Sequence, residues 1–196
     1  MRTLAVVPAR GGSKRLPGKN LRRVGGKTLL EWTLTSAWEA QSIDQIIVST
    51  DDPDIEKNAC FFAACFARGV VNPASPLRKP LTVIRRPAEF ATDTATILGV
   101  LQHALEAAGE SPDLVVCLQP TTPFRPPTLI DDVVRAMGDA DSAVTIHDGR
   151  PTGEVYVTRR HLLLAGRLLG GRCVDVERPR IINIDTEYDL VLAERT

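Results

Sequence analysis

No apolar run in this sequence of 196 residues reaches membrane-spanning length: the longest, residues 59–67, has nine residues, against the roughly 20 that a spanning helix needs. The opening stretch MRTLAVVP is too short in apolar residues for a secretory signal, which predicts a cytoplasmic chain. Net charge is absent as well. With 24 basic and 24 acidic side chains and no basic stripe, nucleic acid is not expected as a partner. Cysteine is sparse: Cys60, Cys65, Cys117 and Cys173 form no CxxC pair and lack the spacing of a zinc site. Three of them sit in apolar stretches, so reduced, buried thiols are expected. The three histidines, His103, His147 and His161, stand outside every motif and read as structural or exposed groups.

What is present is the composition of a globular domain, 43% apolar and 24% charged, at a length that suits one domain, residues 1–196, with one substantial core. Short β-branched runs alternate with longer helical patterns, the order expected of parallel strands joined by crossover helices. Strands are predicted at 3–7, 45–49, 82–84, 114–118, 142–146 and 155–158. Helices are predicted at 29–40, 54–68, 94–108, 128–137 and 187–194, the second stopped by Gly69. The proline-rich stretch 72–80 reads as an extended surface loop. Residues 59–67 are apolar on every side, which predicts either a fully buried helix or an apolar contact with another chain. In an open parallel sheet, ligands bind outside the carboxyl ends of the strands, and the motifs here follow strands.

Directly after the first predicted strand, residues 10–20 hold three glycines (Gly11, Gly12, Gly18) and four cations (Arg10, Lys14, Arg15, Lys19). Such a loop can turn backbone N–H groups inward as an anion nest, with Arg10, Lys14 and Lys19 neutralising a triphosphate. It is neither GxGxxG nor GxxxxGK[ST], which argues against dinucleotide and Walker-type sites. A solvated basic loop is the alternative.

The string ARGGSKRLPGKNL, residues 9–21, resembles the signature loop of the acylneuraminate cytidylyltransferases, the CMP-sialic acid synthetase family. The resemblance continues in order through VSTDD (48–52), RPAE (86–89), TDTA (92–95), LQPTTP (118–123) and IDTE (184–187). It implies a three-layer α/β fold with a mostly parallel, twisted, Rossmann-like sheet of the nucleotide-diphospho-sugar transferase type. It also implies an enzyme that couples CTP to a nonulosonic acid and releases pyrophosphate, with Mg2+ as cofactor. On this resemblance Arg10, Lys14, Lys19 and Asn20 would hold the CTP phosphates, with Gly11, Gly12 and Ser13 completing the cradle. Arg86, Ala95 and Thr96 would surround the cytosine and ribose, and Gln119 and Thr121 would bond the acceptor sugar. Asp185 would ligate the metal, beside Asn183, where the family usually has a second aspartate. Arg10, Lys14, Lys19 and Asp185 would carry catalysis.

Other readings stand beside these. Arg86 also reads as a surface cation, Thr121-Thr122-Pro123 as a plain turn, and Asp185 as a helix cap with Thr186. Ile97 replaces a small hydroxyl residue of the family near the base. Only six residues, 147–152, stand where the family carries several dozen that usually supply a dimer contact and part of the sugar pocket. Arg150 would suit the sugar carboxylate, and Tyr156 would line the pocket or sit in the core. Any homodimer would then use a different surface. A different acceptor such as KDO, and a degenerate nucleotide-binding protein without turnover, are the competing functions.

Overall fold

The computed structural model describes residues 1–68, 79–109, 111–179 and 181–195. Gly69 and residues 72–78 of the expected loop lie outside the described residues. Among the described residues nine strands and six α-helices follow one another: β1 (Thr3–Pro8), β2 (Arg23–Val24), β3 (Lys27–Thr28), α1 (Leu29–Glu39), β4 (Gln45–Thr50), α2 (Pro53–Ala67), β5 (Leu81–Arg85), α3 (Ile97–Ala108), β6 (Leu114–Cys117), α4 (Pro127–Met137), β7 (Ser142–His147), β8 (Arg150–Arg159), α5 (Arg160–Leu164), β9 (Cys173–Glu177) and α6 (Glu187–Ala193). Seven strands form one sheet in the order β5-β4-β1-β6-β8-β7-β9, and β2 pairs with β3 apart from it. Neighbours from β5 to β6 run parallel, β8 is antiparallel to both β6 and β7, and β9 is parallel to β7.

Alternation along β1 shows how the layers arise. Side chains of a strand point alternately to opposite faces. Ala5 and Val7 accordingly join the core formed with α1, α2 and α4, while Leu4 and Val6 join the one formed with α3 and α5. Both faces of β1 are covered, which explains its unbroken apolar run. Burying one such Leu or Val contributes about 1.5–3 kcal/mol. The chain builds β1-β4-β5 to one side and then places β6 on the other flank of β1. That reversal opens a crevice above the carboxyl ends of β1 and β6, where ligands of such sheets bind.

Several expectations change. α2 is not buried all round: Ile55, Ala59, Phe62 and Phe66 pack inward, but Cys60, Phe61, Ala64 and Ala67 face outward, with Phe61 67% exposed. One side meets Trp38 of α1, and the other is largely exposed. Cys60 and Cys173 are exposed and Cys65 is half-buried, leaving only Cys117 buried, because β9 and the outer side of α2 lie at the surface. α3 begins at Ile97, three residues later than expected, since the Thr96 hydroxyl accepts the Gly99 N–H and caps the helix. β8 begins at Arg150, not at 155, because Asp148 and Gly149 both take positive φ (50° and 70°) and close a two-residue hairpin with β7. The segment at 147–152 is thus a tight turn of the primed type. No helix of the described residues is long and apolar enough to cross a membrane.

Candidate active site

The loop after β1 is pinned at several points. The Ala9 N–H donates to the Ser49 carbonyl at 2.9 Å, and Leu16 is fully buried against Leu29, Ile184 and Leu190 in a small third core. Gly18, at φ 63°, turns the chain into a single helical turn, Lys19–Leu21. Asn20 is buried and donates through Nδ2 to the Arg10 carbonyl at 2.8 Å, tying the two ends of the loop. Gly11 donates its N–H to Asp51 Oδ1 at 3.0 Å, and a Cβ there would stand 2.3 Å from Asp52 Oδ2. The Ser13 N–H donates back to the Gly11 carbonyl. Two loop amides are thus spent on the protein itself, so the cations of the loop, more than a nest of N–H groups, are what it offers to an anion.

Those cations already hold carboxylates. Arg10 and Lys14 meet the two oxygens of Asp93 at 2.7 and 2.6 Å, and Lys19 meets Asp185 Oδ1 at 2.8 Å, with Arg15 at 3.5 Å from Oδ2. Hydrogen bonds from Lys14 and then Arg10 hold the Asp93 carboxyl below its ordinary range. Asp93 belongs to the TDTA block, yet sequence reasoning gave it no role. Its signal in the sequence was an acid four residues before the start of α3.

Beyond this loop opens a cleft of about 280 Å³, lined by Arg10, Ser13, Lys19 and Asn20 on one wall and by Arg86, Phe90, Ala95 and Ile97 on another. Arg86 is no surface cation. It is 7% exposed, and its guanidinium donates to Ser49 Oγ, the Ser49 carbonyl and the Phe90 carbonyl. Burial lowers its pKa, against the pull of Asp51. Thr96 is not among the cleft-lining residues; its hydroxyl is spent on the cap.

The third wall is Gln119, Pro120 and Thr121 after β6, with Asn183 and Asp185 beside them. Gly153 of β8 has φ 82°, and a Cβ there would lie 2.9 Å from Gln119 Oε1, so glycine lets β8 back the Gln119 side chain. The Ile184 N–H donates to the Thr121 carbonyl at 2.7 Å, joining this turn to the 183–185 segment. Thr186 and Asp189 form the capping box of α6 between themselves, which leaves the Asp185 carboxylate for Lys19. Asn183 Nδ2 stands 3.4 Å from Asp185 Oδ2; rotating that amide would present an oxygen. One carboxylate and one amide beside a cationic loop suit a single hard divalent cation whose remaining ligands come from phosphate and water.

The cleft therefore unites Arg10, Ser13, Lys19, Asn20, Arg86, Ala95, Gln119, Thr121, Asn183 and Asp185. Lys14 lines an adjoining depression with Asp93 and Asp185, and Gly11 and Gly12 lie in the loop. Arg150 is exposed at the β7–β8 hairpin and Tyr156 packs in the core beside α3; neither lines the cleft. None of the three histidines lines it either.

Residues 4–167 match the cytidylyltransferase family. Over 137 residues the chain is 36% identical to the CMP-N,N'-diacetyllegionaminic acid synthase of Legionella pneumophila, covering 68% of this chain and 52% of that protein. Also over 137 residues, it is 33% identical to the N-acylneuraminate cytidylyltransferase of Escherichia coli, covering 69% of this chain and 28% of that protein. The chain thus spans about half the length, or less, of these relatives. In fold it is similar to a CMP:2-keto-3-deoxy-manno-octonic acid synthetase solved with CTP, at TM-score 0.72, 17% identity and full coverage of both chains. With the motif blocks in order and the match running from β1 through α5, the chain belongs to the cytidylyltransferase family.

Proposed function

We propose that this chain binds CTP across the cleft and couples it to a nonulosonic acid, releasing pyrophosphate. The observation that carries the proposal is the convergence of Arg10, Lys19 and Asp185 of the phosphate side with Gln119 and Thr121 across one cleft, with Lys14 in the adjoining depression. Arg10, Lys14 and Lys19 take the triphosphate in exchange for their present carboxylate partners, with Ser13 and Asn20 beside them. Arg86, rigidly held, faces the base together with Phe90 and Ala95, and Gln119 and Thr121 orient the acceptor. Arg150, outside the cleft, takes no part. The anomeric hydroxyl of the acid attacks the α-phosphorus in line as the bond to pyrophosphate breaks. The chain's work is positioning and neutralising charge on the leaving group. A divalent cation such as Mg2+, held by Asp185 with Asn183, would supply further neutralisation. Sialic-type and legionaminic-type acids are the acceptors named for the two relatives above, and an eight-carbon acid is named for the fold neighbour.

The test is pyrophosphate release from CTP and Mg2+ with a panel of nonulosonic acids, KDO and no acceptor. Release that needs CTP, metal and a nine-carbon acid together supports the proposal. Release with KDO alone transfers it to the eight-carbon acid. CTP binding by calorimetry with no release from any acid shows a nucleotide-binding protein without turnover.

A further inference from the structure

Six residues past Gln119 the chain buries a second arginine away from the cleft. Arg125 is 2% exposed. Its Nη2 donates to the Gln119 carbonyl at 2.9 Å and to Thr122 Oγ1 at 2.8 Å. Thr122 also donates to the Gln119 carbonyl, through its N–H at 3.4 Å and its hydroxyl at 3.2 Å. The outcome is a turn over residues 119–122 closed by one guanidinium. Arg125 Nε and Nη1 are buried and have no hydrogen-bond partner among the described residues. Buried donors left unbonded cost folding free energy and call for an explanation. The ionisable groups acting on this guanidinium are Glu154 of β8 and the Cys117 thiol. Burial pushes Arg125 down to about 10, against Glu154, so it is still charged near neutral pH.

We infer that Arg125 is a positioning residue for both halves of the site: by holding the 119–122 turn it aims Gln119 and Thr121 into the cleft and, through Thr121, seats the 183–185 segment. The link is the hydrogen bond from the Ile184 N–H to the Thr121 carbonyl, which places Asp185 against Lys19. Arg125 itself does not line the cleft. Both of its hydrogen bonds leave from the one nitrogen Nη2, so a lysine ammonium, with three donors on a more flexible stem, can reproduce them in part. The functional part of this inference rests on the reading of Gln119 and Asp185 as substrate- and metal-side groups. Its structural part does not.

Two measurements on the full chain, carrying Arg125→Met or Arg125→Lys, test it. In Arg125→Met the Ile184 amide should exchange its hydrogen about tenfold faster or more, while the amides of Val6 and Val116 at the sheet centre keep their protection, since only a local unit opens. In the same variant kcat for pyrophosphate release should fall roughly 10- to 100-fold and the half-saturating Mg2+ concentration should rise, the signature of misplaced groups in both halves of the site. Arg125→Lys should recover part of kcat. Unchanged protection at Ile184, or acceleration at Val6 in step with it, overturns the inference, the second because it reports only general destabilisation. If the unsubstituted protein releases no pyrophosphate with any acid, the proposed function fails, and the exchange comparison still decides the role of Arg125.

Discussion

Single residues set the charge balance of the cleft and the path of its loop, and substitutions at Asp93, Asn183 and Gly11 probe them. Asp93 occupies Arg10 and Lys14 where the triphosphate should bind, so Asp93→Asn should tighten pyrophosphate and CTP by about three- to tenfold, as expected for two solvent-screened ion pairs. Calorimetry at low and high salt checks this, the gain shrinking at high salt. At position 183 the amide brings no charge. Asn183→Asp should lower the half-saturating Mg2+ concentration by roughly tenfold, since hard cations prefer carboxylates; an unchanged metal titration would show that residue 183 is not a ligand. Gly11 is required by the approach of Asp52, which caps α2 through the N–H groups of Asp54 and Ile55. Gly11→Ala should displace the loop and cut activity by about tenfold or more, with recovery when Asp52→Ser shortens the facing side chain while still capping. Steady-state rates of the single and double variants measure this.

At the level of elements, turns and caps decide where these residues stand. The β7–β8 hairpin has positive φ at both Asp148 and Gly149. An alanine at 149 meets the left-handed penalty of about 1–2 kcal/mol, so Gly149→Ala should lower stability by that amount in denaturant unfolding, with little effect on CTP binding because the hairpin does not line the cleft. The pair Asp148-Gly149 was legible as a hairpin signal, yet the short strand expected at 155–158 overlooked it. The late start of α3 has a similar origin. Packing selects Thr96 as the cap, which leaves Asp93 in a turn, closed by the Ala95 N–H onto the Thr92 carbonyl, beside the cleft.

Across the whole molecule, a formal charge of zero conceals local imbalance. Lys79 is buried and donates to the Ala37 and Ala40 carbonyls at the end of α1. Burial lowers its pKa to about 8, against Asp131 and Asp44. An unfolded lysine keeps its proton up to about pH 10.4. Between about pH 8 and that value the unfolded chain binds more protons than the folded one, so this residue makes stability rise with pH. Comparing denaturant midpoints across that window, the rise should be smaller in Lys79→Met by on the order of 1–3 kcal/mol. Sequence alone determined the alternation of strands and helices, the run of apolar residues in β1, β4 and β6, and the cationic loop, because periodicity, β-branching and local charge are properties of neighbouring residues. It also supplied the motif blocks that mark the family. Tertiary structure alone decided which side chains meet: that Asp93 and Asp185 share the loop's cations, that Thr186 leaves Asp185 free of the helix cap, that Arg150 and Tyr156 stand apart, and that part of the apolar stretch 59–67 of α2 faces outward. Those contacts join residues up to 166 positions apart, and which of them forms depends on strand order and on how each face is packed.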